Sequence, residues 1–418
     1  MEKNTKKLKR KNYDCGTKKF KGGRGITLIA LVITIIVLLI LAGVSIATLT
    51  GDNGILTQAA KAKEKTQIAS VEEQRKLAQA EANMNTTETT YNGVTIPAYC
   101  APTRIDGENT IDDGLVIIDK NGNEWVWIEV PQSIYTNTAY NGGTAPTDSE
   151  DYYSKIESVM QAYASAYRDG SFSDTWYSEA QHGFKDADEY NNYKNNMLKS
   201  VYENGGFYIG RYEVGTQTAR FAETNDSGLT TPFIKQDVYP YNFVTCKQAQ
   251  KLANQLAIGG KTSSLLFGIQ WDLAMKFIEE KGKLIDGTKV TPNMLTSDSR
   301  LWGNYKNINF DITRGQYTTS PSTSGSWTDV TTNYTKPKDT SVLLTTGATN
   351  RNSTLNIYDL AGNVWEWTLE QYTADTDYPC SRRGGSNHND GGNYPASRHS
   401  YRSTTYAYDS IGFRSALY

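Results

Sequence analysis

Asn356-Ile357-Tyr358-Asp359-Leu360-Ala361-Gly362-Asn363-Val364-Trp365-Glu366-Trp367-Thr368 reads as a tight turn feeding a strand. Trp365 and Trp367 alternate with Val364, Glu366 and Thr368, the period of two that sends alternate side chains to opposite faces of a sheet. Both indoles then share one face and bury a large apolar area. Asp359 and Glu366 flank the Gly362-Asn363 turn. Two carboxylates around free backbone carbonyls suit a hard cation that wants oxygen ligands; they equally suit the capping of backbone amides.

Working outward, the run Tyr358 to Thr368 resembles the signature of the formylglycine-generating enzyme (sulfatase-modifying factor) family, and further blocks follow in that family's order. Gly206-Phe207-Tyr208-Ile209-Gly210-Arg211-Tyr212-Glu213-Val214 is similar to its early strand. Ser264 to Ala274 is a degraded match to the start of one of its helices. Arg383-Gly384-Gly385-Ser386 and Ile411-Gly412-Phe413-Arg414 match its C-terminal end. The resemblance implies an α+β fold of C-type-lectin-like, loop-rich design over 114–418. It also implies a structural calcium held by Asp359 and Glu366 carboxylates with Gly362 and Val364 carbonyls. The family's oxidation of a substrate cysteine uses a cysteine pair that follows the Gly-Gly-Ser motif and holds copper. No Cys stands between Ser386 and Tyr418 here, so copper has no thiolate pair to bind it, and the chain is expected not to be an enzyme. The oxidase is kept as the alternative reading.

The formal net charge is −2, and it hides an asymmetry. Residues 1–25 carry ten Lys/Arg against Glu2 and Asp14, a net of +8, which leaves −2 − 8 = −10 for the remainder. That balance argues against a nucleic-acid partner. Cysteines at 15, 100, 246 and 380 form no CxxC spacing, and the pairing of Cys100, Cys246 and Cys380 stays open.

Residues 1–25 read as a basic leader. Ile26 to Leu49 run without a charge, which fits a membrane-crossing helix with its positive flank inside and the bulk of the chain outside the cell. Gly25 before Ile26-Thr27-Leu28 resembles a type IV prepilin processing site, which implies cleavage at Gly25–Ile26 and pilin subunits as partners; a plain anchor is the other reading. Where pilins carry Glu at the fifth mature position, this chain has Ala30. The expected organisation is a transmembrane and stalk helix over 26–84, a linker over 85–113, and the domain over 114–418 with an insertion at about 134–205. Within the domain, Asn121-Gly122 predicts a hairpin turn, and Thr245 predicts the cap of a helix to Leu256. Residues 283–350 read as Thr/Ser/Asn-rich loop.

Residues 386–410 contain no Lys, Glu, Gln, Met or Trp and are rich in Tyr, Ser, Asn and Gly, the residue types of adaptable binding surfaces. NNC and NNT codons cannot encode the five missing types, and the window resembles the variable region of diversity-generating retroelement proteins. The candidate ligand contacts are Asn387, His388, Asn389, Asp390, Asn393, Tyr394, His399, Tyr401, Tyr406, Tyr408 and Asp409. Four of them (Tyr394, Tyr401, Tyr406 and Tyr408), with Asn387, Asn389 and Asp409, are expected at the surface. An ordinary polar loop explains the same composition. The expected function is recognition of an extracellular protein or glycan, and a minor structural pilin is a third reading.

Overall fold

The structure, a computed structural model, describes residues 28–50, 54–141, 146–147, 151–332 and 334–418. The chain divides into two units, residues 1–70 and 71–418. The leader and the Gly25–Ile26 junction lie outside the described residues.

In the first unit, Leu28–Thr50 forms helix α1, and α2 begins at Ile55. Among the described residues no helix is long and apolar enough to cross a membrane, which corrects the expected long transmembrane helix. Along α2, Lys61, Lys63, Glu64 and Lys65 end any apolar run.

The second unit starts within α2 (Ile55–Met84). Ala78 and Ala82 are buried there, Arg75 pairs with Glu108 at 2.6 Å and with Glu124, and Arg104 bonds Glu81. The stretch expected as a linker, 85–113, is instead part of the domain: Val94, Ile96, Cys100 and Ala101 are buried. Its Thr and Asn residues mark turns between short strands, and the few apolar residues between them suffice to seal one edge of the core.

The first sheet has six strands: β1 (Cys100–Pro102), β2 (Val116–Asp119), β3 (Glu124–Glu129), β4 (Gly206–Gly210), β5 (Ser263–Leu265) and, from the end of the sequence, Ser415–Leu417, in the order β5, 415–417, β4, β3, β2, β1. The predicted hairpin is β2–β3, with Val116 opposite Val126 and Gly122 at φ +80°, a conformation glycine adopts freely. The second sheet is built from β6 (Trp365–Tyr372), β7 (Cys380–Arg383), β8 (His399–Arg402) and β9 (Ile411–Phe413), in the order β8-β7-β6-β9, and Ser415–Leu417 is now labelled β10. Strands β6 and β9 run parallel, with Trp365 opposite Ile411.

Helix α3 (Tyr152–Tyr163) and helix α4 (Ala187–Asn204) lie in the region read as an insertion. That region is tied into the domain, because Tyr190 donates to Leu369 O at 2.8 Å and Phe172–Ser173 pairs with the far end of β6. Thr245 caps helix α5 (Cys246–Asn254) in a capping box with Gln248. Helix α6 (Gly268–Lys281) buries most of its length, and its Trp271 indole donates to Ala396 O at 3.1 Å. The expected loop at 283–350 contains several short strands around a small second core of Phe310, Ile312, Val342, Leu344 and Ala348. Strands of two or three residues leave too little alternation to stand out from a polar background.

Candidate functional site

Strand alternation along β6, β7 and β8 sorts the site's side chains onto two faces. Glu366, Glu370, Ser381, Arg383, His399 and Tyr401 share one face, since Arg383 stands opposite both Glu366 and His399, and Ser381 opposite Tyr401. Trp367, Arg382, Ser400 and Arg402 share the other.

On the first face, Arg383 is fully buried. It donates from Nη2 to Asp272 Oδ1 at 2.7 Å and from Nη1 to both Glu370 oxygens at 3.1 and 3.2 Å. Asp272 also takes Arg168 at 3.0 Å. Glu370 further accepts from Thr368 and Ser381 hydroxyls, and His399 Nε2 lies 3.2 Å from it. Burial pushes the Glu370 carboxyl up, but Arg383 and His399 outweigh it and hold it well below the usual carboxylate range. Nearby, Asp174 accepts two amides at the start of α6, Gly268 N at 2.7 Å and Ile269 N at 3.0 Å. Its burial, with the Glu370 charge, raises it to about 7. A cleft of about 350 Å³ opens over this network, lined by Arg168, Asp169, Asn393, Ser397, Arg398 and His399 among others, within the size range of small-ligand sites. Beyond it, Tyr401 stacks on Tyr372 at 3.9 Å with the rings 1° from parallel, and Phe172 abuts Tyr372 and His399.

The loop at 305–308 props the 384–391 segment. Tyr305 donates its hydroxyl to Gly384 O at 2.9 Å, Lys306 N bonds Asn389 O at 2.8 Å, and Gly391 N bonds Asn307 Oδ1 at 3.2 Å. Lys336, fully buried, holds that loop. Its ammonium donates to the Tyr305 and Ile308 carbonyls at 2.8 Å each, to Lys306 O at 3.3 Å and to Pro337 O at 3.4 Å.

The turn at 362–363 is closed by protein groups. Gly362 takes φ +80°, and a Cβ there would meet Asn304 O at 2.3 Å. Asn363 donates to Glu213 at 2.6 Å and accepts from Asn304 and from Leu344 N. Glu366 receives Arg414 at both oxygens, 3.1 and 2.8 Å, and Asp359 accepts Gly347 N at 2.8 Å. Burial raises Glu366 and Asp359 to about 6 each. Burial, then the Asp359 and Glu366 charges, pushes Glu213 well above the carboxylate range. Of the expected calcium set of Asp359, Gly362, Val364 and Glu366, the Glu366 carboxylate is engaged by Arg414, one Asp359 oxygen accepts Gly347 N, and the Val364 amide donates to Glu213 at 3.1 Å. Among the described residues, no three His, Cys, Asp or Glu side chains are grouped to hold a metal.

The profile described as "Sulfatase-modifying factor enzyme 1-like domain" matches residues 181–417, more than half of the 418 residues. The chain belongs to the sulfatase-modifying factor family. Two solved structures are similar to this family member. One is Treponema denticola variable protein 1, with 18% identity over 51% of this chain and 84% of that one and a TM-score of 0.27. The other is CarF, with 17% identity over 50% of this chain and 86% of that one and a TM-score of 0.29. No curated protein sequence matches.

In this sulfatase-modifying factor-like domain, the predicted contact residues divide. Tyr401 and Tyr408 are exposed at 37% and 49%; His388 and Asn393 are exposed as well, and Asn389, Asp390, Tyr394 and Tyr406 are half-buried. Asn387 and Asp409 are buried, which corrects their expected place at the surface, and the candidate contact His399 is buried as well. Asn387 N bonds Asn363 O, tying the window to the turn; His399 faces the Glu370–Arg383 pair; Asp409 lies 3.6 Å from His388. Tyr394 sits edge-on to Trp365. Sequence reading missed Arg168, Glu213, Asp272, Glu370, Arg382 and Arg402. The pair Arg382-Arg383 carried a usable signal, because adjacent strand residues point to opposite faces.

Proposed function

We propose that this domain recognises a ligand through the exposed side of residues 386–410, without catalysis. The observation that carries the reading is the contrast between frame and window. The frame residues Arg383 to Ser386 and Ile411 to Arg414 are buried, while Tyr401, Tyr408, His388 and Asn393 stand out between them. A fixed frame with projecting aromatic and amide side chains pre-organises contacts and lowers their entropic cost. The lack of any Cys after Ser386 supports a binder over a copper-dependent oxidase. The composition of the window supports sequence diversification, which codons ending in C or T across it would support further. The test is a protein and glycan array probed with the full chain and with its Tyr401→Ala/Tyr408→Ala variant. Hits retained by a folded variant would sink this reading, as would copper-dependent oxidation of a peptide thiol by the chain.

A further inference from the structure

Arg382 is 5% exposed, yet among the described residues it has no carboxylate partner. Its neighbour Arg383, one residue on and across the sheet, is satisfied by Asp272 and Glu370. Arg382 instead lies over the Trp365 ring at 4.5 Å and near the Tyr406 ring at 5.9 Å. Among the described residues its side chain makes one hydrogen bond, from Nε to Ser400 Oγ at 3.3 Å. The charged and titratable groups that act on it are Arg402, Tyr406 and Tyr394. Burial first, and then the Arg402 charge, lowers its guanidinium to about 9.

Arg402 stands on the same face of the sheet, two residues from Ser400. It lies over the Tyr406 ring at 5.0 Å, and among the described residues its side chain bonds only the Tyr401 carbonyl, at 2.8 Å. Asp409, an acid of the same window, faces His388 at 3.6 Å. Two guanidiniums thus converge on an aromatic floor without a counter-charge among the described residues. Burying a cation unpaired is costly, and like charges side by side add to that cost. A planar fork of N–H donors matches an oxyanion in a bidentate way.

We infer that Arg382 and Arg402, with the Ser400 hydroxyl, form a subsite for an oxyanion of the ligand, a carboxylate or a sulfate. The inference rests on the recognition role proposed for the same window, and it narrows the ligand to an acidic one. The anion would enter between the two guanidiniums, and the Trp365, Tyr394 and Tyr406 rings would flank the adjoining apolar part of the ligand.

The experiment titrates the full chain with sodium sulfate and, separately, sodium acetate, at ionic strength held constant with sodium chloride. The readouts are the thermal midpoint and the NMR shifts of the Arg side chains. Sulfate stabilises proteins generally by exclusion from their surface, so the difference between variants decides. Arg402→Gln sits at a half-exposed position, where a substitution is expected to leave the fold intact. The half-saturating anion concentration is expected to rise at least tenfold in it, with Arg side-chain shifts lost in Arg382→Gln. Equal responses in wild type and Arg402→Gln overturn the inference even if Arg382→Gln fails to fold. A response to sulfate but not acetate assigns a sulfate-type group, and a response to acetate alone assigns a carboxylate. The array with Tyr401→Ala/Tyr408→Ala remains separate. Its hits can vanish while the anion response is absent, which defeats the subsite alone, and they can persist while Arg402→Gln loses the anion, which defeats the recognition reading alone.

Discussion

Replacing Lys336 by Met keeps the length and apolar stem of the side chain and deletes the ammonium. In the native protein that group donates to two carbonyls at 2.8 Å and approaches two more at 3.3 and 3.4 Å. Hydrogen bonds to a charged group contribute about 1.5–3 kcal/mol each, and acceptors left buried without a donor incur a further cost. Only the two short contacts are counted, giving about 3–6 kcal/mol. Relief from desolvating the ammonium offsets part of this, so the expected loss is about 3 kcal/mol. The assay is chemical denaturation of wild type and Lys336→Met, joined to hydrogen exchange at the amides of Lys306 and Asp339. Both amides report on this loop, since Asp339 N bonds Lys306 O and Lys306 N bonds Asn389 O. Faster exchange there, with a lower midpoint, is the expected result. A Lys336→Met protein as stable as wild type, with unchanged exchange at Lys306, would refute the idea that a tethered cation organises this loop.

Further outcomes are expected. Burial lowers His182 from 6.5 to about 3, so the folded protein keeps it neutral while the unfolded chain takes up a proton below about 6.5. Stability then falls by ~1.4 kcal/mol per pH unit from 6.5 towards 3, and comparing pH 7 with pH 5 in wild type and His182→Phe should show the variant free of about 2 kcal/mol of that loss. Arg414→Met, which strands Glu366 beside Asp359 and Glu213, should destabilise by about 3–5 kcal/mol, and adding Glu366→Leu should recover a measurable part in equilibrium unfolding. Cys100, Cys246 and Cys380 are free and buried, and burial raises the Cys246 thiol, so alkylation of all three should require denaturant; rapid labelling of the native protein would contradict this packing.

What the sequence made legible was whatever repeats or caps locally. The Asn121-Gly122 hairpin, the Thr245 capping box and the alternation of Trp365 and Trp367 each rest on a few neighbouring residues. Asn387, His399 and Asp409 misled, because a polar residue buried by a distant partner looks like a surface residue when read alone. The partners of His399 are Glu370 and Arg383, 29 and 16 residues away. Glu366 misled in the same way: its carboxylate is answered by Arg414, 48 residues on, and no local pattern announces that pairing. Ile26 to Leu49 shows the opposite error, in which apolar composition predicted a membrane span that no described helix provides.

Strands β9 and β10 occupy residues 411–417, directly after the 386–410 window, and they stitch both sheets: β9 pairs with β6, while β10 inserts between β4 and β5. An emerging chain therefore cannot complete either sheet until the window has been translated. Any insertion or deletion there that breaks the reading frame replaces both strands with unrelated sequence. Substitutions at exposed positions such as Tyr401 or Tyr408 leave the strands intact. The architecture thus acts as a proofreader of frame, since a window may change its letters and still yield a folded domain, whereas a slipped ribosome or a miscopied length yields a chain that proteases can clear.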